Sequence, residues 1–294
     1  MNSLMSQEVA QIPRIVKNIL EDKVTHNISL NSFPLQQILT IAHGSSAAAV
    51  SHFSRAIEDF GPGRVYHCDA STLITLSDDI CLKKTWLIVV SQSGMSPDLS
   101  LAAQRAKERG AFVIAFINKS GSRLQSIAHM TVPIGAGEEK AVPATKSFVA
   151  SIITLIQWWL SVNPHEAWLD TLFNWGLELD KVDSQQWQSA VHFFIKSAHA
   201  FVLSPFYLKA IADEMALKLK ECALIHAQSF TLAEFAHGPM ALLSYEAPLL
   251  VLLPDENSFH QALDQLKRFE QRSNSPLLIV CHVKLEKEFC KQLP

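Results

Sequence analysis

Short apolar runs and longer amphipathic stretches alternate along most of this chain, each run closing on a cluster of Gly, Ser, Pro or His. Leu35 to Ala42 is rich in Leu, Ile and Thr and reads as a strand. After His43-Gly44-Ser45-Ser46, the residues Ala47, Val50, Phe53 and Ile57 recur at helical spacing. Arg64 to Cys68 predicts a short second strand, and Trp86 to Val90 one apolar on both faces, as strands of parallel sheets are. A helix is expected over Pro97 to Arg109. Proline loses no hydrogen bond in a first turn, Asp98 meets the positive end of the dipole, and Gly110 stops the run. Strands follow at Ala111 to Ile117 and Met130 to Ile134, then a buried helix at Lys146 to Val162.

From Pro164 to Lys196 the pattern is helical, with Trp168, Leu172, Trp175 and Leu179 on one face; with Trp158 and Trp159 these read as core and connector packing. The strand and helix rhythm then resumes: strand His199 to Leu203, turn Ser204-Pro205, helix Tyr207 to Cys222, strand Pro248 to Leu253, helix Ser258 to Arg272, strand Pro276 to Cys281. The second half thus repeats the first at a period of roughly 160 residues, as a tandem duplication would. The expected fold class is α/β, two tandem domains each a parallel sheet flanked by helices in three layers. The boundaries are 1–163 with an N-terminal helix, a helical connector at 164–198, and a second domain at 199–294 shortened at its C-terminus.

Composition narrows the partners. The 294 residues carry a net charge of -3 and no long Lys/Arg run, which argues against a nucleic-acid surface. The five cysteines are scattered and never in C-x-x-C spacing, so a reducing cytoplasm fits better than a disulfide framework. Met1 to Ile12 lacks the basic start and apolar run of a signal peptide, and Ser147 to Asn163 is too polar and short for a bilayer crossing. The expectation is a cytoplasmic protein that meets small molecules or its own copies.

Two of the loops that close strands are full of hydroxyls: Gly44, Ser45 and Ser46, and Ser91, Gln92, Ser93 and Ser96. In an open parallel sheet ligands sit at the carboxyl ends of strands. A phosphate needs donors without bulk, a glycine lets backbone N–H groups approach, and the next helix dipole favours the negative charge. Either loop alone is equally compatible with ordinary turns and caps.

Ser91-Gln92-Ser93-Gly94-Met95-Ser96-Pro97-Asp98 matches in full the phosphate loop S-Q-S-G-x-[ST]-x-D of the sugar isomerase (SIS) domain proteins, which this chain resembles. His43 to Ser46 resembles that family's [CG]-G-[TS]-S turn, and Val142 to Ser147 its V-A-[SA]-T-K-[AS] segment. Ala216 to Glu221, Ile225-His226-Ala227, Glu234 and His237-Gly238-Pro239 are similar to the catalytic region of the isomerase domain in glutamine:fructose-6-phosphate amidotransferases. The resemblance runs from Met5 to about Cys281 and implies two tandem SIS domains, with Gly44, Ser45, Ser46, Ser91, Gln92, Ser93, Ser96, Val142 and Ala144 binding a sugar phosphate. It further implies that Glu221 carries a proton between C1 and C2, that Lys218, three residues before it, contacts substrate oxygens, and that His237 opens the ring, often from a neighbouring subunit. A homodimer with a shared active site is therefore expected. No cofactor is expected, and no metal: Glu234 and His237 form a single E-x-x-H, where a di-metal carboxylate site needs two.

Within the family, Met95 to Asp98 and Gly137 to Val142 most resemble the deaminases that convert glucosamine 6-phosphate to fructose 6-phosphate and ammonia, and with Met1 as the start no glutaminase domain is expected. A fructosamine 6-phosphate deglycase, a related aldose-ketose isomerase and a non-catalytic sugar-phosphate sensor are the alternatives. Three departures stand against the pattern. Ser204-Pro205-Phe206-Tyr207 replaces a glycine turn, so the second half is expected to hold no phosphate. Ala144 replaces a substrate-contacting serine of the amidotransferases, though the deaminases tolerate alanine there. The chain ends at Pro294 without the closing helix and the tail lysine that covers the sugar in the relatives.

Overall fold

The computed structural model of the protein describes residues 3–22, 35–58, 64–179, 188–245, 247–272 and 276–281; the closing segment 282–294 lies outside them. The chain divides into two compact units, residues 1–182 and 183–294.

The first unit runs α1 (Leu4–Val9), α2 (Ile12–Glu21), β1 (Gln37–Ala42), α3 (Gly44–Glu58), β2 (Arg64–His67), α4 (Ala70–Ile74), β3 (Thr85–Ser91), α5 (Pro97–Glu108), β4 (Phe112–Ile117), α6 (Arg123–Ile127), β5 (Met130–Pro133), α7 (Lys146–Val162) and α8 (Glu166–Glu178). Its five strands pair in the order β2-β1-β3-β4-β5, every pair parallel. The apolar runs of β3 and β4 are buried at every position because both sheet faces are covered. Trp86, Ile88, Val90, Ile114 and Phe116 pack on one face with α2, α3 and α7, while Leu87, Val89, Val113 and Ala115 pack on the other with α4, α5 and α6. Trp158 is fully buried and lies edge-on to Phe116 and tilted against Trp86.

The second unit runs α9 (Gln188–Phe194), β6 (His199–Ser204), α10 (Lys209–Ala223), β7 (His226–Thr231), α11 (Leu232–Ala236), β8 (Leu249–Leu253), α12 (Glu256–Arg272) and β9 (Leu277–Cys281), with 3-10 turns at Phe206–Leu208 and Pro239–Tyr245. Its sheet is also parallel, in the order β7-β6-β8-β9. Phe201, Leu203, Val251 and Leu253 pack with Phe235 and α12; Ala200, Val202, Leu250 and Leu252 pack with α10. Both units are therefore parallel sheets flanked by helices.

Two local expectations change. His226–Thr231 (HAQSFT) has too few apolar residues to read as a strand, yet it forms β7. It lies at the edge of the sheet, where His226 and Gln228 face water, so continuous hydrophobicity is not required. Trp175 is 44% exposed rather than packed, whereas Leu172 joins the core between α8 and the first sheet.

Burial on α3 has a pH consequence. His52 Nδ1 is buried without a hydrogen-bond partner among the described residues, and burial lowers its pKa below 6.5. The unfolded chain then takes up the proton first, so this contribution to stability is present above 6.5 and is lost as pH falls through that value. Urea unfolding followed from neutral to mildly acidic pH should show falling stability, with a shallower fall in His52→Phe.

Candidate functional site

The order β2-β1-β3-β4-β5 places the chain reversal between β1 and β3, so the carboxyl ends of these two strands border the crevice where open parallel sheets take ligands. Both hydroxyl-rich loops leave from there. Gly44 opens α3 at φ +54 and Gly94 turns the β3 loop at φ +64, left-handed conformations that glycine adopts without a Cβ clash. Ser91 Oγ accepts from Gly94 N at 3.0 Å and Ser93 Oγ accepts from Met95 N at 3.2 Å. Each hydroxyl thereby shapes the loop as an acceptor while keeping its own proton to donate. Ser96 is the N-cap of α5, yet its side chain makes no capping hydrogen bond. An anion between the loops would find this hydroxyl, together with the orphan N–H groups of a twelve-residue helix.

The two loops are joined directly. His43, after β1, hydrogen-bonds through Nε2 to the Asp98 carboxylate in the first turn of α5. Partial burial of Asp98 opposes its ionisation, but bonds from His43 and from the Leu99 N–H together outweigh it and hold the carboxyl below its usual range.

The third expected segment is held by residues that sequence reasoning did not single out. Asn118, directly after β4, donates its N–H to Gln92 O (3.2 Å) and Nδ2 to Gly137 O (2.6 Å), and Oδ1 accepts from Ala136 N (2.9 Å). It ties the serine loop to the segment leading into α7. Glu139 accepts from the N–H groups of Thr145 and Ser147 and from the Ser147 hydroxyl, so its carboxylate already occupies the N-terminus of α7. Glu8 accepts from Lys140 N and Ala141 N at 2.6 and 3.2 Å and lies 3.9 Å from Lys146 Nζ, which also donates to Gln11. Val142 is 92% exposed between these anchors, and Ala144 is partly covered. Asn118 was discoverable as a polar residue closing a buried strand. Glu8 lies 132 residues from Lys140, and no local pattern marks it.

The Glu8 and Lys146 side chains are 6% and 4% exposed, so removing one strands the other. Lys146→Met should cost about 3–5 kcal/mol in urea unfolding, and adding Glu8→Leu should recover much of it. Additive losses would show that the pair is not coupled.

In the second unit Lys218 and Glu221 meet on α10, Nζ to Oε2 at 2.5 Å, with Glu214 at 3.3 Å on the other side of the ammonium. Glu221 is partly exposed and Glu214 nearly buried. His237 is exposed and caps the C-terminal end of α11. The structure does not bring Glu221 and His237 together within one chain. α10 ends beside the start of β7, and His237 follows α11 beyond the far end of that six-residue strand, which is roughly 20 Å long. Glu234 belongs to a capping box, accepting from the N–H and hydroxyl of Thr231, and these bonds lower its pKa. His226 packs edge-on against His199 across the strand pair. Among the described residues no cluster of three or more His, Cys, Asp or Glu could hold a metal, and no helix is long and apolar enough to cross a membrane.

The protein-family model described as the SIS domain matches residues 34–158, the segment that carries both hydroxyl loops. Over this segment the chain is similar to a SIS domain. Beyond the SIS segment, similarity extends over most of the chain. It is 28% identical over 280 residues to the glutamine--fructose-6-phosphate aminotransferase [isomerizing] of Aquifex aeolicus, covering 90% of this chain and 45% of that protein. It is 27% identical over 273 residues to the protein of the same name from Tropheryma whipplei (strain Twist), covering 86% and 44%. The chain thus spans less than half the length of these relatives. The fold is shared with the C-terminal domain of glucosamine-fructose-6-phosphate aminotransferase from Francisella tularensis (TM-score 0.81, 22% identity, covering 98% of this chain and 86% of that one). It is shared also with glucosamine-6-phosphate deaminase from Thermotoga maritima (TM-score 0.76, 19% identity, 95% and 85%).

Proposed function

We propose that the chain binds a sugar 6-phosphate through the Ser91–Asp98 loop and converts glucosamine 6-phosphate and water to fructose 6-phosphate and ammonia. The observation that carries this reading is the loop itself: two donor hydroxyls, the uncapped Ser96 and a left-handed Gly94 at the N-terminus of α5, facing Gly44, Ser45 and Ser46 across the β1/β3 crevice. Gln92 belongs to the same loop, and Val142 and Ala144 would complete the sugar contacts. The names of the relatives support a sugar-phosphate isomerising reaction.

In this reading His237 transfers the proton that opens the ring, and Glu221 carries a proton between C2 and C1, leaving an imine at C2 that water hydrolyses to the ketose and ammonia. Lys218 holds the Glu221 carboxylate in place, as its 2.5 Å contact suggests. The residues work without a cofactor or metal. Because Glu221 precedes β7 and His237 follows it beyond the other end, the reading also needs a homodimer in which His237 of one chain reaches Glu221 of another. We further read residues 199–294 as a second SIS domain joined by 164–198 to the first, residues 1–163. The strand orders β2-β1-β3-β4 and β7-β6-β8-β9 correspond one to one, which supports a duplication.

Incubating the protein with glucosamine 6-phosphate and assaying both products tests the reaction; neither product above background rejects it. Release of an amino acid from a fructosamine 6-phosphate instead of ammonia would indicate a deglycase. Saturable binding without turnover, unchanged in Glu221→Gln, would indicate a sensor. The shared site has its own check. Glu221→Gln and His237→Ala, each inactive alone, should regain about a quarter of wild-type activity after subunit exchange, since half of the mixed dimers pair the two variants and keep one intact site. No recovery despite verified exchange would place both residues in the same chain's site.

A further inference from the structure

The second unit has its own crevice. Its sheet order β7-β6-β8-β9 reverses direction between β6 and β8, and a cavity of about 490 Å3 opens at the carboxyl ends of β6 and β7 beneath α12. That volume falls in the range of about 300–1,000 Å3 typical of small-molecule sites. Ser204, the last residue of β6, lines it. Ser204 is 0% exposed and its Oγ has no hydrogen-bond partner among the described residues. A fully buried hydroxyl without a partner is rare, and this one belongs to a residue of the cavity wall.

The lining defines the ligand's chemistry. The Thr231 and Ser258 hydroxyls are engaged in their own caps with Glu234 and Asp255, while Gln261 and Gln265 present primary amides, which both donate and accept, and none of the lining residues is charged. Phe206 and Tyr207, 63% and 42% exposed, add aromatic surface beside them. The Tyr207 hydroxyl bonds Asp255 Oδ2 at 2.5 Å, which puts a carboxylate close to the cavity and disfavours an anion there. Bidirectional hydrogen-bonding groups, an apolar and aromatic surface and no cation together fit an uncharged, hydroxyl-rich ring. We infer that the cavity below α12 is a binding site for a neutral monosaccharide, separate from the anion-binding loops of the first unit. In the turn Ser204 to Tyr207, Pro205 has no N–H to offer a phosphate, and the turn supplies the serine and the aromatic rings instead.

The test uses the full chain with D-glucose and N-acetylglucosamine as probes, followed by ligand-observed NMR titration. At least one sugar should bind saturably in the millimolar range, equally well with saturating glucosamine 6-phosphate present. Ser204→Ala and Gln261→Leu should each weaken binding about tenfold, the usual scale for a lost buried hydrogen bond with its desolvation, while Ser93→Ala leaves it unchanged. Ser204→Ala removes a hydroxyl without a partner and should not lower the melting temperature, so lost binding cannot be ascribed to unfolding. The inference is overturned if neither sugar binds saturably, if neither substitution in the second unit weakens binding, or if glucosamine 6-phosphate or Ser93→Ala abolishes it. The last outcome would place the neutral sugar in the first unit. Failure of the deaminase assay would leave this result untouched, since no residue of the first unit enters it.

Discussion

Glu221→Gln is expected to lower kcat for ammonia and fructose 6-phosphate formation by about 10²–10⁴-fold, the range attributed to a positioned general base, with KM for glucosamine 6-phosphate little changed. The amide keeps the size of the side chain but cannot take up the proton at C2. The substitution should be nearly silent in unfolding, because the Glu221 side chain is 31% exposed and the Lys218 ammonium retains Glu214 at 3.3 Å. Solvent hydrogen incorporation at C1 and C2 should fall in parallel with product. An unchanged kcat would remove Glu221 from the reaction. A loss of folding instead would make the Lys218 cluster a structural feature of α10.

Gly94→Ala is expected to lower both the stability of the first unit and its ligand binding. At φ +64 an L side chain is strained, and an added Cβ would lie 2.2 Å from Ser122 Oγ and 2.6 Å from Ser122 Cβ. Ser122 cannot simply swing away, since its hydroxyl accepts from Gln125 N and caps α6. Strain and overpacking together should cost about 2–5 kcal/mol, read as a lower urea midpoint. Binding of inorganic phosphate or glucosamine 6-phosphate should weaken as well, because Gly94 N anchors Ser91 Oγ and Gly94 O receives Leu124 N. Adding Ser122→Gly should relieve much of the clash while losing the cap, a recovery that strain at φ alone would not permit. Normal stability in Gly94→Ala would mean that the loop is held in some other way.

Much of the architecture was legible because parallel strands are buried on both faces. WLIVV and its neighbours are continuous apolar runs, and such runs were placed within a residue or two of β1, β3, β4 and β8. The helix Lys146–Val162 emerged with the expected bounds, between a loop rich in small and polar residues and Asn163. β7 was not legible, since an edge strand exposed to water does not need apolar continuity, and the short helices α4 and α6 have too few turns for periodicity to register.

The candidate site divides along the same line. The residues of the serine loop stand next to one another in the chain, so their hydroxyls and glycine could be recognised together before any fold was known. The residues that hold that loop in position could not. His43 finds Asp98 across 55 positions because β1 and β3 are adjacent in the sheet, and Glu8 finds Lys140 across 132 because α1 packs near the start of α7. Proximity in sequence could also mislead: Glu221 and His237 are sixteen positions apart, yet β7 carries the chain between them from the amino to the carboxyl end of the sheet. Local side-chain chemistry and hydrophobic period determined the elements and the phosphate-type loop by themselves. Strand order and long-range packing decided which loops face each other and which residues share an edge, because those depend on contacts between segments that no short stretch of sequence contains.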